Sequence, residues 1–271
     1  SRPAARAAPA TRSSAPQPGA PRRSKHATCG LTATHAGPAA EDLVMAPAAP
    51  EPRFVRIPAG TFAMGSGEGQ EDEAPVHTVG VDAFDMAVYP VTRAEYALFL
   101  AATRHPDPRD WHDAAFQPPD YPVVGVSWED AVAYCGWRGD VRLPTEAEWE
   151  RAARGGIDGE RFPWGDEIPA WIPEGGRGPL ASPWPVTLGT PTRFGLFGIA
   201  ANVHEWCADW HARDYYAVAP GSNPAGPASG TRRASRGGSW RHAVTISRTA
   251  ARSKLDPSFR YTDYGFRVVR R

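Results

Sequence analysis

The chain has 271 residues, enough for one large domain or two small ones. Its 30 Lys and Arg balance 30 Asp and Glu, and a net charge of zero argues against a bulk nucleic-acid binder. No run approaches the roughly 18 uncharged apolar residues of a membrane helix, and no short apolar signal-peptide core opens the chain, so no membrane partner is expected and the default location is cytoplasmic.

Residues 1–50 hold 15 Ala and 8 Pro with almost no aromatic or branched apolar side chains. Such a composition cannot offset its ordering entropy by burial, so residues 1–52 are expected to form a disordered Ala/Pro-rich tail and residues 53–271 the folded domain. Within that domain, Phe54–Ile57 and Thr61–Met64 flank a Pro58-Ala59-Gly60 turn and read as a hairpin. A second strand pair is expected over Val76–Asp82 and Phe84–Tyr89. Thr92 and Glu95 have capping-box spacing, and Tyr96, Phe99 and Leu100 recur at helical intervals behind them. A second helix follows Ser127, with Trp128, Ala131, Val132 and Cys135 on one face. A third opens on the Thr145–Glu148 capping box and stops at Gly155-Gly156. Residues 157–271 are broken by Pro and Gly yet carry six of the ten Trp, which fits short strands and ordered loops held by aromatic packing. The expected class is α+β with little regular secondary structure.

Charge is distributed unevenly: 51–231 has 13 basic and 26 acidic residues, whereas 232–271 has 11 basic and 2 acidic. The C-terminal arginines either pair with the acidic body or line a pocket for an anionic group such as a carboxylate. Cys29, Cys135 and Cys207 allow at most one intramolecular disulfide. Reduced packing thiols are the expectation for Cys135 and Cys207.

Seven segments, read in order, carry a resemblance. They are Ile57-Pro58-Ala59-Gly60-Thr61-Phe62 with Met64-Gly65, Tyr89-Pro90-Val91-Thr92, Pro122 to Trp128, Arg142 to Glu150, Asn202-Val203-His204-Glu205-Trp206, Arg236-Gly237-Gly238-Ser239-Trp240 and Gly265-Phe266-Arg267. Together they resemble the sulfatase-modifying-factor superfamily, which includes the formylglycine-generating enzymes. The resemblance implies a single domain of C-type-lectin-like topology. In formylglycine-generating enzymes a copper-binding cysteine pair stands three and eight residues beyond the Ser of Arg-Gly-Gly-Ser. Counted from Ser239, those positions are His242 and Ser247, and no cysteine follows Cys207. An imidazole and a hydroxyl are a harder ligand set than two thiolates, so formylglycine generation by the known copper mechanism is not expected. A calcium site of the family uses the glutamate at Glu205, carbonyls here supplied by Ala201 and Val203, and a side-chain oxygen that Gly198 cannot offer.

Three functional readings remain open at this point. Some relatives are non-heme-iron oxygenases, including sulfoxide synthases of ergothioneine biosynthesis, and His204, Glu205, Asp209, His211 and His242 could furnish a two-His-one-carboxylate set. Another relative matures a siderophore chromophore, which suggests an oxidase acting on a small molecule or peptide. Its catalytic group would be His242, Ser239 and Trp240, and its ligand-binding group Arg241, Arg248, Arg252, Tyr261 and Tyr264, with Arg252 and Arg267 also read as buried ion-pair partners. The metal-ligating candidates are Glu205, Asn202 and His204, for calcium or for iron or copper. The third reading is a non-catalytic ligand-binding module resembling retroelement variable proteins, with Trp240–Thr245 and Ser258–Asp263 as contacts.

Overall fold

The computed structural model describes residues 52–172 and 181–271. The Ala/Pro-rich segment 1–50 and Cys29 lie outside the described residues. Four short strands open the domain: β1 (Phe54–Ile57), β2 (Gly60–Met64), β3 (His77–Val81) and β4 (Phe84–Ala87). They do not pair as two consecutive hairpins. β2 pairs antiparallel with β3, and β1 reaches past both to pair with β4. The Pro58-Gly60 segment therefore passes the chain from one sheet to another. Turn residues fix where a chain bends, but cross-strand burial fixes which strands meet.

Among the described residues, each of the three α-helices starts at a reciprocal cap. Before α1 (Arg93–Thr103), α2 (Trp128–Arg138) and α3 (Glu146–Arg154), the hydroxyls of Thr92, Ser127 and Thr145 accept the amides of Glu95, Asp130 and Glu148, whose carboxylates return the bond. Left-handed residues end them: Arg104, Gly139 and Gly155. All nine residues of α3 are buried. Five more strands follow: β5 (His204–Trp210), β6 (Arg233–Arg236), β7 (Arg252–Leu255), β8 (Tyr264–Gly265) and β9 (Val269–Arg270). The sheets run β1-β4-β9, β2-β3 and β7-β6-β5-β8.

The interior is apolar but threaded by ion pairs. Trp149 and Trp206 are fully buried, Trp149 among Phe62, Met86 and Leu196, and Trp206 among Tyr96, Tyr134 and Phe266. Arg236 pairs with Glu146 and Glu150, and Arg252 donates to both oxygens of Glu146 at 3.1 and 2.7 Å. Arg267 reaches Glu205 Oε1 at 3.0 Å and the carbonyls of Ala87, Val88 and Phe197. These pairs tie the basic C-terminal strands to the acidic body. Cys135 and Cys207 are buried free thiols. Among the described residues no helix is long and apolar enough to cross a membrane.

Candidate active site

Two neighbouring strands bring the chemistry together. β5 and β8 pair in parallel, with His204 opposite Tyr264 and Glu205 opposite Gly265. The His204 amide donates to the Asp263 carbonyl at 2.9 Å, so Asp263, just ahead of β8, is held beside His204. His242 comes from the turn after β6, which closes when its amide donates to the Ser239 carbonyl at 3.0 Å. That turn depends on Gly238 at φ +65°, where a Cβ would collide with Ser247 Oγ.

His204 Nε2 lies 3.3 Å from His242 Nδ1, which lies 3.2 Å from Ser239 Oγ. The Ser239 hydroxyl donates to Asp263 Oδ2 at 2.9 Å, and Arg241 Nη1 stands 3.8 Å from Asp263 Oδ1. His204 and Asp263 are buried, whereas His242 is exposed, so the group opens to solvent on one side. Burial pushes the His204 imidazole down to about 4; Asp263 opposes this and His242 adds to it. At neutral pH His204 is therefore uncharged, with its ring nitrogen lone pair available.

The surroundings are aromatic. Tyr264 stacks on His204 with ring centroids 4.7 Å apart. Tyr261 and Phe259 continue the row at 6.3 and 6.0 Å, and both are exposed. Trp240 is buried against Phe116, with the Arg241 guanidinium 5.7 Å over its ring. The group is not a serine nucleophile and its relay. Ser239 is 1% exposed, and its proton goes to a carboxylate rather than to a histidine oriented by one.

Of the residues singled out from the sequence, His204, His242, Ser239, Trp240, Arg241, Tyr261 and Tyr264 gather here. Others are committed elsewhere. Glu205 accepts from Trp149 Nε1 at 2.8 Å and neutralises Arg267. A guanidinium thus occupies the carboxylate that a calcium ion would need, and the residues around Glu205 do not fit that ion. Asn202 exchanges two hydrogen bonds with the Trp184 backbone. Arg248 grips Glu73 with bonds of 2.6 and 2.7 Å, and Arg252 is spent on Glu146 and the Asp72 carbonyl, so neither is free to hold a ligand. Asp209 accepts the Glu146 amide at the start of α3, and His211 bonds Asp72 at 3.1 Å. Asp263 supplies the carboxylate of the group, a role the sequence reading did not give it. In the sequence it appears only as the end of the Ser258–Asp263 contact segment, one residue ahead of β8.

The sequence profile of the sulfatase-modifying factor enzyme 1-like domain matches residues 39–271. The chain belongs to this family. It is 38% identical to the formylglycine-generating enzyme of Streptomyces coelicolor, over 79% of this chain and 88% of that protein. The solved structure of PvdO from Pseudomonas aeruginosa superposes with a TM-score of 0.69 at 29% identity, covering 81% of this chain and 94% of that one. Treponema denticola variable protein 1 superposes with a TM-score of 0.67 at 24% identity, over 80% and 94% of the two chains, a likeness of fold alone. The α+β architecture is accordingly the sulfatase-modifying-factor domain of C-type-lectin-like topology.

Proposed function

We propose that this family member is an oxidoreductase-type modifying enzyme that acts on a small molecule or peptide, and not on a sulfatase cysteine by the copper-thiolate route. The observation that carries the reading is the pairing of His242 with His204. His242 stands where the resemblance puts the first copper-binding cysteine, and it meets a second imidazole at 3.3 Å. Ser247 takes the second cysteine position as a buried hydroxyl with no hydrogen-bond partner among the described residues. Thiol exchange with a substrate cysteine is thereby lost, while two imidazole nitrogens remain beside a solvent-facing opening. Arg241, Tyr261 and Phe259 offer a cation and two aromatic faces beside the opening, suited to a substrate that carries a carboxylate and a ring.

The test is mass spectrometry of aerobic incubations of the full chain with a reductant. One arm contains a peptide library that includes the cysteine-bearing sulfatase motif, and the other contains small-molecule extracts. Loss of two hydrogens or gain of one oxygen on a non-sulfatase substrate, abolished by His242→Ala, is the expected result. Conversion of the sulfatase cysteine to formylglycine, or no redox change on any compound, contradicts the reading.

A further inference from the structure

We propose that His204, His242 and Asp263 form a binding site for one divalent first-row transition ion of the iron(II) or zinc(II) class. One ligand atom from each residue lies within 4.8 Å of the others, the single such grouping among the described residues. The inference deepens the proposed function, because iron(II) at this place would make the imidazole pair redox-competent, whereas zinc(II), which has no redox chemistry, would not; binding can be measured without any substrate.

The geometry carries the argument. Two nitrogens 3.3 Å apart match two ligands at about 2.0–2.1 Å from a shared ion with an angle of about 105–110° between them. The backbones of His204, in β5, and Asp263, just ahead of β8, are held side by side by their own hydrogen bond and by the parallel pairing of β5 and β8, so side-chain rotation alone brings the ligand atoms, within 4.8 Å of one another, onto an ion. Asp263 is oriented through Oδ2 by the Ser239 hydroxyl, the kind of outer contact that aims a ligating carboxylate, while its Oδ1 lies 3.8 Å from the exposed Arg241, too far for a hydrogen bond and unlike the buried 3.0 Å pair that commits Glu205. His242 sits on an exposed turn and can swing its ring to close on an ion, leaving the solvent side open for further ligands.

The donor chemistry narrows the ion. Two imidazole nitrogens and one carboxylate oxygen are too hard for copper(I), which prefers sulfur, and too rich in nitrogen for calcium or magnesium. Two histidines and one carboxylate with open positions suit iron(II), and zinc(II) accepts the same set. Among the described residues no other such grouping competes: Glu205 is neutralised by Arg267, and His211 is committed to Asp72.

The experiment titrates the full chain anaerobically with iron(II), and separately with cobalt(II) as a coloured stand-in, followed by desalting and metal analysis. One ion per chain is expected, with ligand-field bands for cobalt. His242→Ala and Asp263→Asn should each weaken binding at least tenfold, while His112→Ala, an exposed histidine paired with Asp107, leaves it unchanged. Melting temperatures confirm folding, and His242→Ala keeps the test decisive should Asp263→Asn misfold, because His242 is exposed. Absence of binding, or binding that survives both substitutions, overturns the site. Redox activity from a chain that takes up no metal in this titration would overturn the site and leave the proposed function standing. Bound metal with no redox activity would do the reverse.

Discussion

At the scale of single residues the fold depends on buried charges whose partners arrive from far along the chain. Burial raises the Glu146 carboxyl, but Arg252 and Arg236 override it and hold it at about 2, below its ordinary 4.5. A depressed folded value means that the ionised pair stabilises the protein above about pH 4.5 and that this contribution is lost as pH falls towards 2. Glu146→Gln should destabilise the fold by about 3–5 kcal/mol at neutral pH, since it leaves two arginines buried with one charge too few. Urea midpoints at several pH values check this, and the gap between wild type and variant should shrink on acidification through that window. Cysteine chemistry gives a second prediction. Burial pushes the Cys135 thiol up to about 12 and Cys207 well above its usual value, so few thiolates form. In a Cys29→Ser background neither should react with iodoacetamide in mildly alkaline buffer until urea unfolds the chain. His204 and His242 were legible in the sequence because each stands at an identifiable motif position. Asp263 was not, because only the parallel pairing of two distant strands sets it beside His204.

Among the elements, local signals and long-range pairing fared differently. The starts of α1 and α3 were readable from capping boxes, which are written within four residues and need no tertiary partner, and that of α2 from Ser127 and the apolar spacing behind it; its Ser127–Asp130 box emerged only in the structure. Thr145→Ala should lower stability by about 1 kcal/mol by removing the cap of the fully buried α3, as chemical denaturation would show. The strand order was not readable. Pro58-Gly60 looks like a hairpin turn, but β1 pairs edge to edge with β4 while β2 and β3, which lie between them in sequence, form a separate sheet, and no short-range pattern encodes that closure. Trp206 in β5 donates its indole N–H to the Val126 carbonyl at 3.1 Å and touches the Tyr264 ring. Trp206→Ala should cost about 3–5 kcal/mol and loosen the β5-β8 seam that carries His204 and Asp263, so its melting temperature and metal affinity should fall together.

For the molecule as a whole, charge asymmetry proves structural. The basic C-terminal forty residues spend Arg236, Arg248, Arg252 and Arg267 on carboxylates of the acidic body, which leaves Arg241 half-exposed beside the site. The family was legible from seven ordered motifs, while the chemistry was not, because one fold hosts several activities and the deciding atoms come together only in three dimensions. We propose that an imidazole-carboxylate centre of His204, His242 and Asp263 stands beside the place of the first copper-binding cysteine, which His242 fills. Its most direct test is elemental analysis of the full chain purified without chelator, beside a His204→Ala, His242→Ala double variant. Near-stoichiometric iron or another transition ion, lost in the double variant, is the predicted result. Calcium alone, or transition metal retained by the double variant, would contradict it.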